Sequence, residues 1–138
     1  MIVGENYSHN VFDPLNDELI SIDKTNTWKA ELEEVDLNEL VEVFNVNLVA
    51  PFLLNTRLKK LMERNNPDKT PRFIVNVSAM EGVFYRLNKQ TTHPHTNMAK
   101  AALNMMTRTA GSHYALSGVY MTAVDTGWVT DENPYLVQ

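Results

Sequence analysis

Residues 72–82 read R-F-I-V-N-V-S-A-M-E-G, residues 96–108 read T-N-M-A-K-A-A-L-N-M-M-T-R, and residues 119–127 read V-Y-M-T-A-V-D-T-G. The run Phe73–Val77 is short, apolar and β-branched, which predicts a buried strand rather than a helix. In the second stretch Met98, Ala101, Ala102, Met105, Met106 and Thr109 recur at helical spacing, so a helix is predicted from near Thr96 to about Tyr114. Gly118 is a stop or turn, and Val119–Val124 is a second buried strand. Strand, helix, strand in that order predicts two parallel strands joined by a right-handed crossover.

Working upstream, Asp36 with Glu39 resembles a capping box: an acceptor at the N-cap and a carboxylate three residues on. Leu37, Leu40, Val41, Phe44, Leu48 and Phe52 then follow at helical spacing. Pro51 is expected to kink or divide this helix. The pattern resumes through Leu54, Leu58 and Leu61, and Asn65, Asn66 and Pro67 end it. Residues 24–28 read as a helix entry or turn, and Glu18 to Ile22 as a short strand. Residues 1–17 carry many turn formers and are expected to be loop, with one short strand at Met1–Val3. The chain is predicted to be a single domain, 1–138, with a loop-rich lead-in at 1–35. Two strands make a poor sheet, because both edges are unpaired and both faces need cover. The pattern therefore predicts a fragment of a larger fold, a dimer, or a chain that needs a partner.

Composition narrows the function classes. The chain has 43% apolar and 21% charged residues, ordinary for a globular protein. Its net charge of -5 and lack of a basic face argue against nucleic acid as a partner. There is no cysteine, so disulfides and thiolate metal sites are excluded. His93 and His95 flank a proline without metal-site spacing, and no metal is expected. No apolar run approaches a membrane span and no signal peptide is visible, so a cytoplasmic location with no membrane partner is expected.

In ordered combination these segments resemble the C-terminal half of the short-chain dehydrogenase/reductase family. V-F-N-V-N-L-V-A-P-F-L-L at 43–54 looks like its long central helix, and I-V-N-V-S-A-M-E-G at 74–82 like its serine-bearing strand and turn. T-N-M-A-K-A-A-L looks like the helix carrying Y-x-x-x-K, and V-Y-M-T-A-V-D-T-G-W-V like the strand and turn that meet nicotinamide. The resemblance covers about residues 36–131. It implies an α/β, partial Rossmann-like (three-layer) fold lacking the N-terminal dinucleotide-binding strands. It also implies NAD or NADP as cofactor, and a homo-oligomer through the two long helices.

Residue by residue, the resemblance gives Asn47 the proton-relay asparagine and Lys100 the lysine that binds ribose and lowers a phenol's pKa. It places Asn76, Gly127 and Val129, with Lys100, at cofactor contacts. The chain departs at the catalytic serine and tyrosine, where Ala79 and Thr96 stand, and Thr126 replaces the proline of the nicotinamide turn. A threonine hydroxyl is far too weak an acid to replace a phenol. Ser78 precedes the serine position, and neighbours on a strand face opposite sides, so it substitutes only if the loop is rearranged. Catalytic candidates are thus Asn47, Ser78, Thr96 and Lys100, with His95 and Tyr85 as possible replacement acids. The five glycines, Gly4, Gly82, Gly111, Gly118 and Gly127, are too scattered for a pyrophosphate-binding turn. Three readings follow. The chain is a reductase-like protein or fragment that is inactive and binds no cofactor alone; or it is an active half completed by an N-terminal segment or partner chain; or it is a non-enzymatic assembly module.

Overall fold

Asp36 opens the first long helix by accepting the Asn38 N–H on Oδ1 at 2.8 Å. This is a computed structural model, and it describes residues 7–12, 19–21, 26–64, 66–85, 87 and 89–127. The reciprocal capping box expected at Asp36 and Glu39 lies one turn upstream instead. There the Glu31 and Glu34 side chains cap the 3-10 turn Leu32–Glu34. Glu39 carries its carboxylate to 3.7 Å from His95 Nε2.

Helix α1, Leu37–Phe44, passes through a wide π turn, Asn45–Val49, into α2, Ala50–Glu63. Pro51 explains the widening. A proline ring clashes with the carbonyl four residues back and offers no N–H to it. The helix is loosened here rather than bent apart, and Ala50 N–H reaches the Asn45 carbonyl. Asn47 Nδ2 donates to the Val43 carbonyl at 3.1 Å and secures the same stretch. By length and composition alone, 37–63 passes as a membrane-spanning helix, with mean hydropathy 1.3. Asn55, however, is buried against the sheet and ties the helix down.

Strands β3, Arg72–Ser78, and β4, Val119–Asp125, pair in parallel with continuous register from Arg72 opposite Val119 to Ser78 opposite Asp125. Between them α3, Pro94–Ala115, is the crossover helix. It starts two residues earlier than Thr96, because Pro94 suits a first helical position. At its end Gly118 has φ 77°, and a Cβ there would lie 3.0 Å from the Lys69 carbonyl oxygen. Glycine alone makes that turn without strain. One expectation fails: Tyr7–Phe12 within the supposed loop is a strand, β1, paired antiparallel with β2, Leu19–Ser21. The expected strand at residues 1–3 lies outside the described residues.

The core forms between α3 and the sheet. Ala99, Leu103, Tyr114 and Val119 are buried there. Burying Leu103 contributes about 2 kcal/mol. A polar relay runs through this core: Asn55 Nδ2 donates to Asn76 Oδ1, Asn76 Nδ2 to Thr107 Oγ1, and Thr107 Oγ1 to the Leu103 carbonyl, each at 3.0 Å. Tyr114 Oη donates to the Asn55 carbonyl at 3.3 Å. The helices therefore lock onto one sheet face by hydrogen bonds as much as by apolar burial. On the other face Phe73, Val75 and Val77 stand exposed.

Candidate functional site

Asn47, Asn76 and Lys100 line one groove of about 450 Å³ between α2 and β3. The π turn presents Asn47, the relay holds Asn76, and the second turn of α3 carries Lys100. The placement of α3 rests on Gly82, in the 3-10 turn Met80–Gly82. A Cβ on Gly82 would lie 2.7 Å from the Lys100 carbonyl carbon and 2.8 Å from Ala101 N. Only a bare backbone lets the loop after β3 approach the helix this closely.

Lys100 Nζ donates to the Val77 carbonyl at 2.9 Å. Partial burial draws its ammonium below the usual lysine range, since a low-dielectric surrounding penalises the charged form. A lysine so placed stabilises a neighbouring anion or orients a carbonyl. Thr96, one helical turn before it and half-buried, supplies no acidic proton. Ser78 is buried on the α3 side of the strand, and its Oγ has no hydrogen-bond partner among the described residues. Its neighbour Ala79 is an extended residue at φ -154°, on the turn that follows. Alternation along β3 thus sends Ser78 inward, as a strand neighbour must go.

Gly127, φ 73°, follows β4, and its N–H donates to Asp125 Oδ1 at 3.1 Å. The amide expected to face nicotinamide is occupied by a local carboxylate. Val129 lies outside the described residues, as do Trp128 and Thr130. Tyr85 is fully exposed on the loop.

The histidines form a separate cluster that sequence reasoning did not assemble. His93, at φ 42°, stacks on Trp28 with ring centroids 3.9 Å apart, and its backbone N–H donates to the Ala30 carbonyl at 2.8 Å. His95 sits beside Glu39. Burial holds His93 below the usual imidazole range. This cluster pins the residues before α1 to the start of α3. Among the described residues no group of three metal-ligating side chains gathers.

Among the described residues no glycine-rich turn opens either long helix. A pyrophosphate needs a glycine-rich turn at a helix N-terminus. Helix α3 instead begins behind the buried His93 and Pro94, and α1 begins with Asp36, whose carboxylate already takes the Asn38 amide.

A family model described as enoyl-(acyl carrier protein) reductase matches residues 19–133. The NADPH-bound carbonyl reductase from chicken fatty liver superposes with a TM-score of 0.65 at 23% identity, covering 77% of this chain and 44% of that one. An oxidoreductase of the short-chain dehydrogenase/reductase family from Brucella ovis, solved with a partially ordered NAD, gives 0.59 at 25% identity, covering 78% and 45%. An uncharacterised protein of Acanthamoeba polyphaga mimivirus is 34% identical over 60% of this chain, which is 17% of that protein. The chain thus spans less than half the length of each of these relatives. The order of its elements, the parallel β3–β4 pair and the family match together place this chain in the short-chain dehydrogenase/reductase family.

Proposed function

We propose that this chain is the lysine-helix half of a short-chain dehydrogenase/reductase-like scaffold, and that alone it neither binds NAD(P) nor transfers hydride. The observation that carries this reading is the setting of Lys100. One of its ammonium donors goes to the Val77 carbonyl, and one turn back stands Thr96 where a phenol would be required. Without that phenol this helix lacks the family's proton donor to a carbonyl substrate. The Asp125 carboxylate on the Gly127 amide supports the same reading from the other end of the site.

A second reading has a specific observation behind it. Asn47, Asn76 and Lys100 line one groove, so a completing segment would meet a relay asparagine and a ribose lysine already in place. In that completed state Ser78, Thr96, Gly127 and Val129 belong to the same site as candidate contacts. A homo-oligomer fits either reading, because Phe52, Leu53, Met98 and Met105 on the two long helices are exposed. The non-enzymatic assembly module shares those surfaces without any cofactor.

The test is direct. The purified chain is mixed with NADPH or NADH and a set of aldehydes and ketones, and nicotinamide absorbance is followed. The proposal expects no oxidation above the chain-free control. Turnover abolished by Lys100→Ala would overturn it.

A further inference from the structure

Residues 26–35 form a strap across the start of α3. Trp28 lies flat on the His93 ring, with centroids 3.9 Å apart and planes 7° from parallel. The His93 backbone N–H donates to the Ala30 carbonyl at 2.8 Å, and Thr91 Oγ1 donates to Glu31 Oε1 at 3.2 Å. These contacts all fall on the short stretch Thr91–His93. Little of the strap itself is buried: Glu31, Leu32, Glu33 and Glu34 are exposed. A segment with few buried apolar contacts opens far more readily than the whole molecule unfolds.

His93 is 2% exposed, and its Nδ1 is buried without a hydrogen-bond partner among the described residues. A protonated imidazole donates from both ring nitrogens, so a charged ring would carry an N–H there that nothing described receives. Ionisable groups surround it from several elements. Glu81 on the turn after β3 favours the proton, and His95 on α3 opposes it. Glu39 of α1 lies 3.7 Å from His95 Nε2. On the strap, Glu31 takes the Thr91 hydroxyl and Lys29 is exposed to solvent. Lys89 on the loop gives its ammonium to the Glu81 and Val83 carbonyls. An indole face attracts a cation, but less than burial penalises one. Burial accordingly outweighs Glu81 and the neighbouring Asn97 side chain.

We propose that the strap is a proton-operated latch: it docks on the neutral His93 ring and lifts from the start of α3 when that ring takes a proton. The released ring binds a proton that the docked ring refuses. Docking is therefore favoured above the ordinary imidazole value of 6.5 and is lost as pH falls. The ratio of lifted to docked strap rises by at most about tenfold per pH unit below that value. Lifting bares the His93 ring at the first turn of α3, the helix that carries Thr96 and Lys100. Access to that end of the helix thus depends on pH. The latch stands whether or not the half-scaffold reading holds.

Amide hydrogen exchange on the full chain at pH 7.5 and 5.5 tests this, with rates corrected for their intrinsic pH dependence. Protection of the His93 amide, which donates to Ala30, should fall several-fold, up to about tenfold, from the higher pH to the lower. Low urea should leave that rate unchanged, because a local opening exposes little new surface, while the amide of buried Leu103 should exchange faster. In His93→Asn, residue 93 should be equally protected at both pH values, and His95→Asn should keep the step. Trp28→Leu removes the stack from the other side. It should cost protection at pH 7.5 already and shrink the step, which keeps the test open if His93→Asn fails to fold. Equal protection of the unmodified chain at both pH values overturns the proposal. So does a His93 rate that climbs with urea as steeply as that of Leu103, which would mean release only by global unfolding. A step that survives His93→Asn, or is lost in His95→Asn alone, overturns it as well.

Discussion

At the scale of single residues, the positions that matter most are those where chemistry and packing meet. The placement of Lys100 and Asn47 on the two long helices was legible from helical spacing and the order of the motifs. The Asn55–Asn76–Thr107 relay was not. A polar residue on a helix carries no mark of a partner on a distant strand. Asn76→Ala would leave Asn55 and Thr107 without their partners in the core, and should cost about 1–3 kcal/mol in urea unfolding. Gly82→Ala must displace the backbone of Lys100 and Ala101, since the added carbon would sit under 3 Å from both. A loss of about 1–3 kcal/mol is expected in the same assay. His93 gives a pH signature. Its folded-state pKa lies below the ordinary value of 6.5, so below that pH the unfolded chain takes up a proton that the native chain refuses. The contribution is fully present above that value and is lost as pH falls. The melting temperature should drop from pH 7.5 to 5.5, by no more than one proton's worth of linkage. His93→Asn keeps a residue that tolerates φ 42° and should flatten that slope.

At the scale of elements, periodicity found both long helices and both parallel strands. It also found Pro51 as the point of disturbance, though not the form the disturbance takes. A π turn keeps the helix axis running while it makes room for the proline ring. Pro51→Ala restores a backbone donor and should raise helical ellipticity slightly, with Asn47 released from its bond to Val43. Strand β2 was legible as the expected strand at Glu18 to Ile22, whereas β1 escaped sequence reading because glycine, asparagine and proline dominate around it. Those residues mark turns, and here they bracket a strand too short for clear alternation. Among the described residues β3 pairs only with β4. Its exposed Phe73, Val75 and Val77 form an unguarded apolar row, the kind that pairs with other chains. Val75→Lys should lower light scattering of concentrated protein without changing its far-ultraviolet dichroism.

At the scale of the whole molecule, one sheet face is dressed with helices, and among the described residues the β3 edge beside α2 carries no strand. Sequence alone announced this asymmetry through the scattered glycines and the two-strand count. It could not show that Lys100 turns to the Val77 carbonyl, or that Asp125 claims the Gly127 amide, because both depend on side-chain directions fixed only by packing. The central claim is that this half of the scaffold has a lysine and no dinucleotide site. Calorimetric titration of NADPH into the isolated chain tests it most directly. The account predicts no saturable heat up to millimolar cofactor. Saturable binding with a Kd on the order of 10 μM, equivalent to about -7 kcal/mol, that is weakened by Lys100→Ala would contradict it.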